Sequence, residues 1–524
     1  MAEAEAAAHE IAQGYAFTGT ALELGTVVLK DTAYPDAKIR IPLGMLNRHG
    51  LIAGATGTGK TKTLQLLTEQ LSANGVPVVV ADMKGDLSGL SQAGSPSDRI
   101  TQRATDTGDD WAATAYPVEF LALGGLGTGI PVRATMTAFG PVLLSKILDL
   151  NDTQESSLGL IFHYADTAGL PLLDLKDLRA LIQYLTSDEG KAALEGIGGL
   201  SKATAGVILR SLITLENNGG DVFFGEPEWE PADLIRQSAD GRGVISAIEL
   251  PTIADKPALF STFLMWLLAD LFHELPEVGD PDKPKLVFFF DEAHLLFTGA
   301  SKAFLEQVTQ TIRLIRSKGV GIFFVTQVPA DVPDSVLGQL GNRVQHALRA
   351  FTPDDASNLA KAVRTYPKTE NYDLSEALQQ LGTGEAIVTV LSEKGAPTPV
   401  AWTRLRAPRS LMAQIDPSAQ QQAVASSPLQ AKYGTAVDRE SAYEKLAAKL
   451  APVAPPPAPD APAEAPKEQP KAQEHKQEQH GGGAGDLIEG VLKSSAFKSF
   501  TRSAATVLGR EISRSIFGTA KRSR

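Results

Sequence analysis

The 524-residue sequence contains no cysteine, which excludes disulfide bonds and thiolate metal sites and favours a reducing compartment such as the cytoplasm. It also lacks an uncharged apolar run approaching ~18 residues, so no membrane span is predicted. The most apolar stretch, residues 263–268, is soon followed by Asp270 and is typical of a buried helix. Residues 1–5 are acidic and do not have the basic start and apolar core of a secretion signal.

A basic surface over the whole molecule is also absent, because the formal net charge is −12. This excludes a global electrostatic footprint for nucleic acid, although the inner face of a ring can be basic while the outside is acidic. The eight histidines are scattered without metal-ligand spacing. A hydrophobic content of 43% is that of a globular protein, and the length exceeds what one compact core usually holds.

Residues 54–61 fit the phosphate-binding pattern G-x-x-x-x-G-K-[ST] at every fixed position. An apolar run leads into them and a helical pattern leads away, which is the strand, glycine loop and helix that the motif requires. Inward-turned N–H groups and a helix N-terminus favour phosphate oxygens, Lys60 supplies a charge for the β and γ phosphates, and Thr61 offers a hydroxyl to Mg²⁺. The predicted nucleotide-binding residues are Gly54, Ala55, Thr56, Gly57, Thr58, Gly59, Lys60, Thr61 and Thr63.

A second motif is the apolar run 285–290 that ends in Asp291 and Glu292. A strand without polar alternation is buried on both faces, as in a parallel sheet covered by helices. Asp291 at its carboxyl end is placed to hold Mg²⁺, directly or through water. Glu292 is placed to orient or deprotonate an attacking water, so the adjacent acid argues for hydrolysis rather than transfer to another acceptor.

Other polar residues follow predicted strands at the same edge of the sheet. Asp82, Lys84 and Asp86 follow strand 76–80 and either help to place the metal or water, couple the site to a neighbour, or form an ordinary polar turn. Gln327 follows strand 321–325 and suits a sensor of the γ-phosphate, with a polar strand-end cap as the alternative.

Two arginines, Arg343 and Arg349, are candidates for the charge that stabilises phosphoryl transfer, reaching into a neighbouring subunit. Structural ion pairs are the alternative for each. The sequence Asp-Glu-Ala-His at 291–294 is also found in two-lobed helicases, which need a second lobe of similar size. Only a strand or two remain between the arginines and residue 410, so such a second lobe does not fit. One lobe per chain with an arginine acting in trans predicts a ring.

The pattern predicts an α/β fold, with a parallel sheet flanked by helices and a helical insertion. Lys146, Lys202 and Arg210 in the insertion either face a substrate or lie on solvated helix faces. The predicted divisions are a short N-terminal β element of one or two strands (1–48), the first part of the ATPase core (49–140), the helical insertion (141–240), the second part of the core (241–410), a disordered linker (411–485) and a basic amphipathic helix (486–524).

The C-terminal stretch differs in composition from the rest. Eight of the twenty residues 451–470 are proline, which indicates an extended linker. Residues 483–524 carry eight Lys or Arg against three Asp or Glu and regain helical periodicity. A tethered basic helix suits docking on an acidic neighbour, a nucleic acid or a membrane surface, while packing on the protein's own surface is the alternative.

Taken together, these motifs resemble the HerA–FtsK group of P-loop ATPases, and more narrowly the HerA-like helicase C-terminal-domain family. The resemblance is carried by residues 47–52 leading into the glycine loop, 81–87, 290–294, 341–349 and 510–514. It implies a RecA-like core, ATP and Mg²⁺ as ligands, a hexameric ring, and translocation on double-stranded DNA. An ATPase that acts on protein partners, or a nucleotide-gated scaffold without nucleic acid, is the alternative.

Overall fold

One mixed β-sheet organises the computed structural model, which describes residues 2–194, 196–298 and 302–450. Within these residues the sheet has twelve strands. In chain order they are β1 (Ala21–Leu29), β2 (Thr32–Pro42), β3 (Gly50–Ala53), β4 (Val78–Asp82), β5 (Val118–Leu123), β6 (Ile130–Val132), β7 (Ile245–Glu249), β8 (Leu286–Phe290), β9 (Val320–Thr326), β10 (Asn342–Gln345), β11 (Glu385–Thr389) and β12 (Ala401–Leu405).

The strand order is β2-β1-β12-β11-β10-β3-β9-β8-β4-β7-β5-β6. The strands from β10 to β6 in that order run parallel to one another, so their carboxyl ends share one edge. The remaining strands, β11, β12, β1 and β2, extend the sheet antiparallel. This architecture confirms the predicted α/β fold with a RecA-like parallel core.

The α-helices cover the two faces and one end of this sheet. They are α1 (Ala2–Gln13), α2 (Lys60–Ala73), α3 (Asp98–Thr107), α4 (Met136–Ile147), α5 (Asp152–Thr167), α6 (Leu175–Leu185), α7 (Asp188–Ala193), α8 (Lys202–Asn217), α9 (Pro257–Glu274), α10 (His294–Phe297), α11 (Lys302–Ile315), α12 (Asp334–Leu337), α13 (Pro353–Val363), α14 (Leu374–Gln380), α15 (Pro417–Ser426), α16 (Gln430–Tyr433) and α17 (Ala442–Leu450). Among the described helices, none is both long and apolar enough to cross a bilayer.

Strand β8 shows why the sequence produces a sheet buried on both sides. Phe288 and Phe290 pack into one apolar cluster with α9 and the insertion, while Val287 and Phe289 pack into a second cluster on the opposite face. Alternate side chains of a strand point to opposite faces, so an unbroken apolar run requires cover on both. The predicted two-sided burial of this strand is confirmed.

Helices α5–α8 lie within the stretch predicted as a helical insertion (141–240), whereas α4 begins before it, at Met136; the apolar faces of these helices join the core. Phe139 of α4 packs against Phe263 and Trp266 of α9, with ring centroids 5.9 and 6.5 Å apart. Lys146 is buried, and its Nζ donates to the carbonyl oxygen of Leu296 at 3.3 Å. The burial of this lysine corrects its predicted outward position.

At the other edge of the sheet, β1 and β2 occupy the stretch predicted to hold one or two short strands. They pair with each other and, through β1, with β12. The N-terminal helix α1 and strand β12 are among the elements that were not predicted. The antiparallel part of the sheet is therefore larger than the sequence indicated.

The residues after β12 correct the predicted linker at 411–485. We call residues 406–450 the strap, because they return across the carboxyl edge of the sheet to the insertion and include α15, α16 and α17. Tyr433 of the strap is fully buried and stacks on Trp229, with ring centroids 4.3 Å apart. Buried aromatic contacts of this kind fix the chain, so 417–450 is folded. Residues 451–485 of the predicted linker and the predicted helix at 486–524 lie outside the described residues.

Candidate active site

The glycine loop lies between β3 and α2, as predicted. Gly54, Gly57 and Gly59 adopt φ values of +154°, +78° and +112°, which L side chains rarely tolerate. A Cβ atom at Gly54 would lie 2.4 Å from the Cβ of His346, whereas one at Gly57 would meet no atom of the described chain within 4 Å. The loop is therefore packed against the protein at its start and open at its middle, where a phosphate can approach the backbone N–H groups.

Lys60 begins α2 and points back over the loop. Its Nζ donates to the carbonyl oxygens of Gly54 at 2.6 Å and Ala55 at 3.1 Å. Burial lowers the pKa of Lys60, an effect opposed by the carboxylates of Glu292 and Asp291. The lysine thus lies within electrostatic reach of both acids, which the sequence had assigned to the same site.

The threonines of this segment have different surroundings. Thr58 is buried and its hydroxyl donates to the carbonyl oxygen of Ala55 at 2.7 Å, closing the loop on itself. Thr61 is half-buried in the first turn of α2. Thr63 is 2% exposed, and its hydroxyl lies 2.8 Å from Nε2 of His346 inside the protein. Thr63 therefore supports the loop from beneath, which differs from its predicted position among the nucleotide ligands.

Asp291 and Glu292 follow the carboxyl end of β8. Burial, and then the charge of Glu292, raise the pKa of Asp291 to about 7. Glu292 has φ +49°, in the left-handed region that costs a glutamate on the order of 1 kcal/mol or more. The turn is held because the N–H of Ala293 donates to the carbonyl oxygen of Val325 on β9 at 2.9 Å. A strained acid fixed by neighbouring backbone is typical of a functional position.

The carboxylate of Glu292 lies between two side chains. Its Oε1 is 3.6 Å from Nζ of Lys84, and its Oε2 is 3.4 Å from Nδ1 of His294. The side chain of Glu292 is 17% exposed and that of Lys84 is 55% exposed. Lys84 was one of three residues offered together after β4, and the structure singles it out as the one that contacts the predicted base.

Asp82 at the end of β4 shapes the turn that carries Lys84. Its carboxylate accepts hydrogen bonds from the backbone N–H groups of Lys84 at 3.1 Å, Gly85 at 2.7 Å and Leu87 at 2.8 Å. Burial raises the pKa of Asp82, and these hydrogen bonds oppose the rise. Both carboxylate oxygens are used by the turn, so of the predicted alternatives the structure favours a turn-forming role for Asp82.

Gln327 directly follows β9, the strand between β3 and β8. It is exposed, and the preceding Thr326 accepts the N–H of Gly54 through its carbonyl oxygen at 3.2 Å. The residue thus lies on the strand end next to the glycine loop. This position is compatible with the predicted sensor, which stays a prediction.

The two candidate arginines differ in their exposure and in their hydrogen-bond partners. Arg343 lies on β10 and its guanidinium donates to the carbonyl oxygens of Leu340 at 3.3 Å and Leu337 at 3.4 Å, both in its own chain. Arg349 is exposed beyond the carboxyl end of β10, and one of its nitrogens donates to the carbonyl oxygen of Gln379. Of the two, Arg349 is the one on the shared edge with its side chain facing outward.

Two supporting residues escaped the sequence reasoning. His346 bonds Thr63 under the loop, and burial together with the charge of Lys60 lowers its pKa to about 4. Arg103 donates to the carbonyl oxygens of Thr383 at 3.0 Å and Gly384 at 3.1 Å, and the N–H of Gly384 reaches Thr58 at 3.0 Å. His346 lies within a stretch that carried the family resemblance, whereas nothing in the sequence around Arg103 indicated its contact.

The oxygen donors on this edge fit a magnesium ion held together with a nucleotide. No cluster of three or more His, Cys, Asp or Glu that could hold a metal occurs among residues 2–194, 196–298 and 302–450. Mg²⁺ does not need one, because it keeps several waters and takes one or two protein oxygens beside substrate phosphates. Asp291, a carboxylate at the carboxyl end of β8 whose pKa is raised by burial and by the charge of Glu292, and the Thr61 hydroxyl are suitable donors.

Two solved structures of coupling proteins are similar to this chain in architecture. The bacterial conjugative coupling protein TrwBdeltaN70 is 13% identical, with a TM-score of 0.50 over 78% of this chain and 95% of that one. Plasmid coupling protein TrwB in complex with the non-hydrolysable ATP analogue ADPNP is 15% identical, with a TM-score of 0.52 over 78% of this chain and 94% of that one. At this identity the likeness establishes the fold.

Two sequence relatives are named DNA double-strand break repair helicase HerA. The protein from Sulfolobus acidocaldarius is 20% identical over 380 residues, covering 70% of this chain and 68% of the relative. That from Sulfurisphaera tokodaii is 21% identical over 370 residues, covering 70% and 66%. The matches thus span about two thirds of each relative. The family profile described as Helicase HerA-like C-terminal matches residues 28–524, and the chain belongs to this family of P-loop ATPases.

Proposed function

We propose that this protein is a Mg²⁺-dependent ATPase that works as a hexameric ring and moves double-stranded DNA. The observation that carries the proposal is the convergence of three strand ends on one edge. Lys60 and Thr61 follow β3, Gln327 follows β9, and Asp291 with Glu292 follow β8, on adjacent parallel strands. This is the set of groups that nucleotide hydrolysis requires.

Each group has a distinct part in the proposed reaction. The loop N–H groups and Lys60 bind the phosphates, and Thr61 with Asp291 would hold the metal. When bound, Mg²⁺ supplies positive charge that neutralises the transferred phosphoryl group. Glu292, on its strained turn, orients the attacking water and accepts its proton. Gln327 lies beside the γ-phosphate position and reports whether that phosphate is present.

The proposed ring rests on the positions of the two candidate arginines. Arg343 is half-buried and donates to three carbonyl oxygens of its own chain, whereas Arg349 is exposed beyond the carboxyl end of β10 and donates to one, that of Gln379. We therefore favour Arg349 as the arginine that completes a neighbour's site. Its contribution to turnover is expected to be on the order of 10³-fold, as for other arginines acting in trans.

The DNA substrate is supported by the relatives, which are named as DNA repair helicases. An ATPase measurement with and without linear duplex DNA, over a range of salt, tests it. We expect turnover to rise with DNA, and DNA binding to weaken as salt increases. Turnover that is indifferent to DNA, with no salt-dependent binding, would refute the motor and leave an ATPase that acts on protein partners. Mass photometry with and without Mg-ATP tests the ring.

A further inference from the structure

Lys84 contacts the predicted catalytic base through its side chain and the strap through its backbone carbonyl. The strand order across the site is β3, β9, β8, β4. Glu292 follows β8, the glycine loop lies two strands away on one side, and Lys84 follows β4 on the other. The contact with Lys84 therefore pairs Glu292 with a residue from the strand on the other side of β8 from the glycine loop.

The turn that presents Lys84 is rigid at its base and attached to the strap at its top. Asp82 fixes the backbone N–H groups of the turn, as described above. The carbonyl oxygen of Lys84 accepts a hydrogen bond from the side-chain amide of Gln414 at 2.6 Å. The next strap residue, Ile415, donates its N–H to the hydroxyl of Ser88 at 3.2 Å. The position of Lys84 thus depends on where the strap lies.

The strap continues from this turn to the insertion. The hydroxyl of Ser427 donates to Glu119 at 2.6 Å, Tyr433 stacks on Trp229, and the N–H of Tyr443 donates to Asp177 of α6 at 2.9 Å. One continuous segment therefore connects the helical insertion with the residue that contacts Glu292. These contacts allow a conformational change in the insertion to be transmitted along the strap to Glu292.

From this arrangement we infer that Lys84 is a positioning residue that restrains Glu292 and is itself held by the strap. In the restrained geometry Oε1 of Glu292 is paired with Lys84 Nζ at 3.6 Å, and the ammonium competes with the attacking water for the charge of this carboxylate. Displacement of the Lys84 turn by the strap releases Glu292 towards β9 and the nucleotide. This inference rests on the proposed role of Glu292 and adds a control that hydrolysis itself does not require.

The test compares Lys84→Met, Lys84→Arg and Gln414→Ala with wild type, using kcat and KM for ATP without DNA. We expect Lys84→Met to raise kcat on the order of two- to fivefold at unchanged KM, the range that releasing a partly exposed ion pair allows. Lys84→Arg retains the charge and should stay near wild type, and Gln414→Ala should act in the same direction as Lys84→Met. Lys394→Met, an exposed lysine on the loop after β11, is the matched control.

Two results would overturn the restraint. A kcat of Lys84→Met at or below that of wild type would show that Lys84 does not oppose turnover, and a raised KM would make it a nucleotide ligand. The double variant Lys84→Met with Glu292→Gln must be as inactive as Glu292→Gln alone. If Glu292→Gln itself hydrolyses ATP normally, the proposed function fails. If only Lys84→Met behaves as wild type, the restraint alone fails. Urea unfolding of each variant verifies that it is folded.

Discussion

The carboxylate of Glu69 accepts hydrogen bonds from both the backbone N–H and the hydroxyl of Ser410. The N–H bond measures 2.9 Å, and the second carboxylate oxygen accepts the N–H of Arg409 at 2.8 Å. Glu69 lies on α2, the helix that begins at the glycine loop, and Ser410 belongs to the strap. Both side chains are 1% exposed. The strap is thus anchored to the nucleotide-binding helix before it reaches Lys84.

Replacing Glu69 by Gln should destabilise the protein although the shape is conserved. The amide keeps one acceptor oxygen, while its NH₂ group faces donors, so at least one buried N–H or hydroxyl loses its partner. A buried unsatisfied group costs on the order of 1–3 kcal/mol, and this is the expected loss in urea unfolding. Glu370→Gln, at an exposed position, should change stability by less than about 0.5 kcal/mol. Equal values for the two variants would contradict the anchor.

The glycine loop gives a second prediction, because its glycines are needed for different reasons. At Gly54 both the φ of +154° and the 2.4 Å approach of His346 oppose a side chain, whereas at Gly57 only the φ of +78° does. Gly54→Ala should therefore cost several kcal/mol, and Gly57→Ala only about 1 kcal/mol of backbone strain. Urea unfolding measures both. A Gly57→Ala variant as unstable as Gly54→Ala would show that the loop is closed at its middle.

The sequence predicted those elements correctly in which the spacing of apolar residues matches the faces that are buried in the fold. The run ending in Asp291 is apolar on both faces because helices cover both faces of β8. The contact of Lys84 with Glu292 was beyond prediction, because it depends on which strand neighbours β8 in space. Strand β4 precedes β8 in the chain by a large separation, and sequence pattern carries no register between them.

Buried His49 gives a pH prediction. Its Nδ1 accepts the N–H of Ile322 at 3.0 Å and its Nε2 donates to Ile312 at 2.8 Å, which fixes the neutral ring. Burial lowers its pKa from 6.5 to about 4. Between these values the unfolded chain binds a proton that the folded chain does not, so the contribution of His49 to stability is complete above pH 6.5 and falls as the pH drops towards 4.

The matching experiment compares wild type with His49→Asn, since Asn tolerates the φ of +60° at this position. The substitution should lower the free energy of unfolding most at pH 7.5. At pH 5 the difference between wild type and variant should be smaller by on the order of 1–2 kcal/mol, because only the wild type is destabilised by protonation of His49 in the unfolded chain. Urea unfolding at the two pH values gives the difference. A cost that is independent of pH would mean that His49 titrates normally in the folded protein.

The strap shows where sequence pattern fails. Helix α15 has the sequence PSAQQQAVAS, which has no buried residue and little apolar periodicity. Its pattern therefore predicted part of a linker. Its neighbour α16 buries Tyr433, whose partner Trp229 is far away in the chain. Such a contact is a tertiary property, and short helices owe most of their stability to packing rather than to propensity. The interpretation of 417–450 as disordered was wrong for this reason.

Tyr433→Ala therefore tests whether the strap is folded in solution. The variant loses the stack on Trp229, the hydrogen bond that the hydroxyl donates to Asp233, and the one it accepts from the N–H of Glu230 at 3.1 Å. Removing a buried aromatic side chain costs on the order of 3–5 kcal/mol. Because the loss is local, we expect rapid proteolysis within 417–450 at protease levels that leave wild type intact. Phe351→Ala removes an aromatic ring that is 87% exposed and should remain as resistant as wild type. If Tyr433→Ala is equally resistant, the strap does not depend on this contact, and its proposed hold on Lys84 loses its anchor at the insertion.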